Sequence, residues 1–201
     1  MRMALSLQAT LQPSEDAPEY EPEDELVRAA QTDLTAFAKL YRHYLGTVYR
    51  YLRSRTSSDE DAADLTQQVF LQAFSALPGY EQRGLPFAAW LFRIARNAAL
   101  NAKQRSRDNT YWDLMPETLQ MAGPSDLEAE VIQQEAVEKL RTVLMELAPD
   151  RRELIALRFV AELSVHEIAH VLGKNEPAIY KQLTRTLDAL KRRYKEAGNG
   201  R

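Results

Sequence analysis

Between Leu163 and Arg193 the chain reads LSVHEIAHVLGKNEPAIYKQLTRTLDALKRR, a stretch that satisfies its backbone and hides its apolar side chains as two short helices around a tight turn. Ser164 stands where an N-cap belongs and Glu167, three residues on, completes a capping box. Val165, Ile168, Ala169 and Leu172 then fall on one face. Gly173 stops this helix. Asn175 caps the next, whose first turn accepts Pro177, and Ile179, Leu183, Leu187 and Leu190 form its buried stripe. The pattern is a helix-turn-helix. Facing away from the stripe are Tyr180, Lys181, Thr184, Arg185, Asp188, Lys191 and Arg192, a set able to reach base edges and phosphates in a major groove. An amphipathic helical hairpin with a solvated charged face fits the same residues.

A third reading shares this stretch. His166-Glu167-Ile168-Ala169-His170 matches the metalloprotease pattern of two histidines at i and i+4 with a glutamate beside the first. A catalytic zinc also needs a third protein ligand and an open position. The chain has three histidines, and His43 lies far away in a different helical segment. Glu167 is also explained as the partner of Ser164, so no metal or other cofactor is expected.

A hydrophobic fraction of 45% in 201 residues supplies one ordinary core or two small ones. With no cysteine, disulfides and thiolate metal sites are excluded, which fits a reducing cytoplasm. No apolar run approaches a membrane span, and the first sixteen residues turn acidic too soon for a signal peptide. A net charge of -3 looks wrong for a nucleic-acid binder, but seven acids and no base lie between Ser14 and Glu25. The remainder is mildly basic, so the phosphate-neutralising drive toward DNA is modest.

Residues 1 to 22, with Pro13, Pro18 and Pro22 among acids, read as a disordered acidic tail. From Glu23 the pattern turns helical, and Leu34, Phe37, Ala38, Tyr41, Leu45, Val48, Tyr49 and Leu52 predict one apolar face running from about Leu26 to Arg55. A second helix spans about Glu60 to Leu77, with Ala63, Val69, Phe70, Ala73 and Phe74 inward and Asp61, Asp64, Gln67 and Gln68 near its start. A third begins at Pro86-Phe87 and continues to Lys103. Phe87, Leu91, Ile94 and Ala98 give its core side, while Trp90, Arg93, Arg96, Asn97 and Asn101 interleave a ring and polar groups on the other, as single-strand binding requires. A packed tryptophan beside a solvated basic face would look the same. Residues 106 to 126 read as a linker whose Tyr111, Trp112, Leu114 and Met115 seek a surface. Val137, Leu140, Leu144 and Leu147 carry the next helix, and Ala148-Pro149-Asp150 opens one through Leu154, Leu157 and Phe159. No phosphate loop or nucleophile arrangement is present in the sequence, so no enzyme is expected.

Four stretches, in this order and spacing, resemble the extracytoplasmic-function group of bacterial sigma factors within the sigma-70 family. They are FAKLYRHYLGTVYRYL at 37 to 52, DEDAADLTQQVFLQAF at 59 to 74, PFAAWLFRIARNAALNAKQR at 86 to 105, and LAPDRRELIALRFVAELSVHEIAHVLG at 147 to 173. The resemblance covers about residues 25 to 105 and 127 to 194. It implies an all-α chain of two small helical domains joined by a flexible linker: a sigma-2 domain at 23 to 105 and a sigma-4 domain at 127 to 195, followed by a tail at 196 to 201.

The resemblance further implies a dissociable specificity subunit of core RNA polymerase that acts on promoter DNA in the cytoplasm and is held in check by an anti-sigma factor. Asp64, Gln67 and Gln68 correspond to the docking surface for the clamp helices of the largest polymerase subunit, although the family usually has glutamate where Gln68 stands. Trp90, Arg93, Asn97 and Asn101 correspond to the reader of the −10 element, with a flipped base held by the loop from Leu77 to Pro86 and with Phe87 and Trp90 holding the strands apart. In the sigma-4 domain Tyr180, Lys181, Thr184 and Arg185 correspond to positions that read the −35 duplex, Arg185 foremost. Pro177-Ala178 departs from the family's frequent glycine-threonine. A stand-alone helix-turn-helix regulator is the competing account, but it leaves the Trp90 helix without a task and lacks an evident dimer seam.

Overall fold

The computed structural model describes residues 23–81, 84–105 and 127–197. The acidic tail, the linker residues Tyr111, Trp112, Leu114 and Met115, and the end of the C-terminal tail lie outside them. Among the described residues every regular element is helical: α1 (Glu23–Ala30), α2 (Leu34–Arg53), α3 (Asp59–Ala76), a short 3-10 turn (Leu77–Gly79), α4 (Phe87–Arg105), α5 (Leu127–Met145), α6 (Pro149–Phe159), α7 (Val165–Leu172) and α8 (Glu176–Glu196).

The single helix expected from Leu26 to Arg55 is two. Asp33 adopts an extended backbone and accepts a hydrogen bond from the Thr35 N–H at 2.8 Å, so it caps a new helix rather than continuing the old one. Gln31 pins the break by donating from Nε2 to the Tyr80 carbonyl at 2.6 Å. The buried stripe of α2 is also shifted: Ala36, Leu40, Tyr44, Val48, Tyr51 and Leu52 are inside, and of the expected face only Val48 and Leu52 are fully buried. Phe37 and Tyr41 instead lie at the rim, edge-on to Phe74 and Phe70 of α3 at 4.9 and 4.7 Å, and Leu34 is 68% exposed.

In α3, Ser58 caps the start by accepting from the Asp61 N–H at 3.0 Å. Ala62, Leu65, Thr66, Val69, Phe70 and Ala73 face the core, whereas Ala63 and Phe74, expected inside, are exposed. Helix α4 packs against α1, α2 and α3 on one side and against α7 of the second domain on the other. Its sequence permits this because apolar side chains cover more than one face: Phe87, Leu91 and Ile94 are joined in the core by Ala88, Phe92, Ala95 and Ala99. The second domain buries Leu144, Leu147, Leu154, Leu157, Ile168, Ile179 and Leu183. Pro149 starts α6 at a position where a missing N–H costs nothing. Thr186, fully buried in the stripe of α8, satisfies its hydroxyl on the Gln182 carbonyl at 2.8 Å.

Phe92 is 0% exposed and meets the Tyr51 ring edge-on at 5.4 Å. Phe92→Ala is expected to cost about 3–5 kcal/mol in urea unfolding, and a loss below about 1 kcal/mol would contradict its place in the core. Burial, reinforced by the charge of Glu23 and a hydrogen bond to it, holds the Tyr44 phenol far above its ordinary pKa, and burial does the same for Tyr51. A folded-state pKa above the unfolded one gives stability that is complete below the unfolded phenol's pKa near 10 and is lost as pH rises past it. An alkaline absorbance titration should therefore show these two phenolates only as the fold is lost.

Candidate nucleic-acid interface

The turn between α7 and α8 sets the orientation of α8. Glu167 Oε2 accepts from both the Ser164 N–H and its hydroxyl at 2.7 Å, and the Glu167 N–H donates back to Ser164 Oγ at 3.2 Å. Gly173 closes α7 at φ 64°, a left-handed conformation that glycine adopts without a Cβ penalty, and the Lys174 N–H reaches back to the Ala169 carbonyl at 2.9 Å. Asn175 Oδ1 then accepts from the Ala178 N–H at 2.9 Å and starts α8, with Pro177 in its first turn. Gln182 anchors the helix by donating to Asp150 of α6 at 3.1 Å. With Ile179, Leu183 and Thr186 buried, Tyr180, Lys181, Thr184 and Arg185 are all exposed along the opposite side. Asp188, Lys191 and Arg192 extend the exposed set.

The histidine pair of α7 has other work. His166 Nδ1 lies 2.7 Å from Glu176 Oε1, the two imidazoles meet edge-on at 4.6 Å, and Glu167 is committed to the cap. Among the described residues no group of three His, Cys, Asp or Glu side chains is placed to hold a metal ion.

Helix α4 presents a second polar face. Arg93, Asn97 and Asn101 are exposed at intervals of four residues, and Trp90, half-buried, begins the same row. Trp90 is braced by Tyr80 at 4.8 Å and Phe87 at 5.4 Å between ring centroids. Phe87 does not stand beside it at the surface: it is 2% exposed, wedged also against Tyr44 at 5.5 Å, because the first turn of α4 enters the aromatic cluster of the first domain. It supports the indole from beneath. In the loop from Leu77 to Pro86, the Tyr80 hydroxyl donates to the Leu85 carbonyl at 3.1 Å and Gly84 takes φ 71°.

A third face lies on α3, where Asp64, Gln67 and Gln68 are exposed on neighbouring turns. Leu71, 66% exposed, continues it into an apolar groove lined by Leu34, Phe37, Tyr41, Gln67 and Phe74. Leu71 escaped the sequence reading, and its signal was a leucine four residues after Gln67, on the polar rather than the core side. A fourth cluster joins the domains. Glu153 of α6 accepts from the Tyr51 hydroxyl and from Arg55 Nη2, each at 2.8 Å, and Arg50 pairs with Glu162 at 2.9 Å.

The helix-turn-helix geometry depends on two residues. Ser164→Ala is expected to lower stability by about 1 kcal/mol and Gly173→Ala by about 1–2 kcal/mol in thermal unfolding. Equal stability of either variant and the parent would contradict the capping geometry.

Two family models match the chain: Sigma-70 region 2 over residues 40–109 and Sigma-70, region 4 over residues 137–196. The ECF RNA polymerase sigma factor BldN of Streptomyces coelicolor is 36% identical over 159 residues, which are 77% of this chain and 59% of BldN. The ECF RNA polymerase sigma factor SigD of Mycobacterium tuberculosis is 31% identical over 181 residues, 87% of this chain and 84% of SigD. The fold is similar to that of the sigma factor RpoE from Bartonella quintana, solved in complex with the anti-sigma factor NepR, with a TM-score of 0.59 at 21% identity over 81% of this chain and 98% of that one.

Proposed function

The chain belongs to the extracytoplasmic-function sigma factors of the sigma-70 family, and from that premise we propose that it directs core RNA polymerase to promoters by reading a −35 duplex and opening the −10 element. The observation that carries this reading is the separation of three exposed faces, on α3, α4 and α8, each left uncovered by the packing that buries the rest of its helix.

The α8 face enters the major groove. Arg185 and Lys181 supply donors suited to guanine edges or phosphates, and Thr184 and Tyr180 add hydrogen bonds and apolar contact. The cap at Asn175 fixes where this helix begins and hence which turn meets the bases. The α4 face takes the unpaired strand. Trp90, braced from below by Phe87 and Tyr80, offers a rigid ring for stacking, and Asn97 and Asn101 offer donors and acceptors to an extruded base edge. Unstacking costs a few kcal/mol per step, so capture of one base supplies melting and selectivity together.

The α3 face binds the polymerase. Asp64 contributes a charge-assisted hydrogen bond, Gln67 and Gln68 neutral ones, and Leu71 an apolar anchor at the groove. Chemistry is left to the polymerase, and the factor acts in the cytoplasm where that enzyme is. Among the described residues no helix is long and apolar enough to cross a membrane. An anti-sigma factor, of the kind that the Bartonella protein binds, would hold it inactive.

Run-off transcription from a promoter library, with core polymerase and this chain, is expected to select a paired −35 and −10 motif. Arg185→Ala should relax one position of the upstream element and Asn97→Ala one of the downstream element, each by about tenfold. Leu71→Asp should weaken core polymerase binding by at least about tenfold without loss of helicity. Transcription unmoved by the added chain, with duplex DNA retarded by the free protein, would replace this reading with a stand-alone regulator.

A further inference from the structure

The first turn of α8 offers a base edge almost no donor. Asn175 spends Oδ1 on the Ala178 N–H at 2.9 Å, so its amide cannot grip an adenine with both of its groups. The Glu176 carboxylate is drawn toward α7, where Oε1 lies 2.7 Å from His166 Nδ1. Pro177 has no N–H, and the side chain of Ala178 is a methyl. One turn further on, Thr184 donates its hydroxyl to the Tyr180 carbonyl at 3.0 Å. That commits its only side-chain proton to the helix and leaves a methyl group and an acceptor oxygen.

Helical spacing sorts the exposed residues into two rows. Ile179, Leu183 and Thr186 are buried, and Pro177, Tyr180, Lys181, Thr184 and Arg185 are exposed on the other side. Pro177, Tyr180 and Thr184 follow one another at intervals of three and four residues and share one row, while Lys181 and Arg185 share the next. The first row is uncharged, and its Tyr180 is 59% exposed. Cations suit guanine edges and phosphates, whereas methyl-bearing and aromatic side chains suit the thymine C5 methyl, the apolar group that marks a base in the major groove. Seven residues of helix span about 10 Å and base pairs lie about 3.4 Å apart, so the uncharged row covers two or three steps of duplex.

We propose that Pro177, Tyr180 and Thr184 read the methyl groups of thymines in two adjacent A·T pairs of the −35 element, beside a pair read by Arg185. The inference rests on the function proposed above and deepens it by stating which bases the upstream duplex holds. Each methyl meets an apolar surface and leaves water, while Lys181 and Arg185 supply the attraction to the backbone and the guanine edge. Deoxyuridine isolates this contribution, because it keeps every hydrogen-bonding group of thymine and lacks only the methyl.

The probe is a promoter duplex selected from a randomised −35 library by the full chain in reconstituted holoenzyme, and its binding is followed by anisotropy. Replacing thymine by deoxyuridine, one position at a time, should weaken binding about fourfold at two adjacent positions. Thr184→Ser keeps the hydroxyl without the methyl and should abolish the penalty at one of them. Tyr180→Ala should abolish it at the other, and Tyr180→Phe should retain it. Lys181→Gln should weaken the thymine and deoxyuridine probes alike, and circular dichroism checks that each variant folds. A penalty below about twofold at every position overturns the proposal, and a preference for A·T pairs that survives loss of the methyl assigns the selection to duplex shape instead. A penalty undiminished in both Thr184→Ser and Tyr180→Ala overturns it as well. A chain that leaves core polymerase unmoved sinks the function proposed above, and the same substitutions in a duplex selected by the free chain still decide the methyl reading.

Discussion

Helix α4 is buried on two sides by two different domains, and the exposed chemistry of the first domain follows from that constraint. The aromatic cluster of Tyr44, Tyr80 and Phe87 grips its first turn, Phe92 and Ala95 extend the burial along its length, and α7 closes the other side. One row is left in solvent, and it holds Arg93, Asn97 and Asn101. The base capture proposed for this row needs side chains that do not move with the base, and a helix clamped on two faces meets that need. Trp90 shows the same logic at smaller scale, resting on Phe87 and Tyr80 instead of on solvent.

The two domains solve their positioning problems differently. In the second, orientation comes from caps: Ser164 with Glu167, Gly173, then Asn175, three consecutive devices within twelve residues that define the angle and starting point of α8. In the first, it comes from aromatic packing and from the break at Asp33, which lets α1 fold back on α2 and α4. The link between them is a mixture of apolar contact and a charge cluster around Glu153 that is incompletely satisfied.

The caps of the second domain were legible because each is a local signal: a short polar side chain, a carboxylate three residues on, a glycine. Helix α4 was legible as an element, but its double burial was not, since periodicity marks one apolar face and alanines at positions 88, 95 and 99 read as neutral. Periodicity put Phe87 on the core side while the family resemblance gave it a strand-separating role, and its 2% exposure agrees with the periodicity. The register of α2 misled for a related cause. Phe37 and Tyr41 are as apolar as Leu40 and Tyr44, and only the position of α3 decides which pair forms the rim. The Glu153 cluster could not be read at all, because its members lie 98 and 102 residues apart and no spacing rule connects them.

In the proposed function one chain reads duplex DNA with α8 and unpaired DNA with α4 on the same promoter at the same time. A combined hydroxyl-radical and permanganate footprint of the holoenzyme on a promoter that it transcribes tests this most directly. Backbone protection over the upstream element, together with permanganate-reactive thymines confined to the downstream one, is expected. Protection of both elements as continuous duplex, with no reactive thymine at saturating protein, would contradict it.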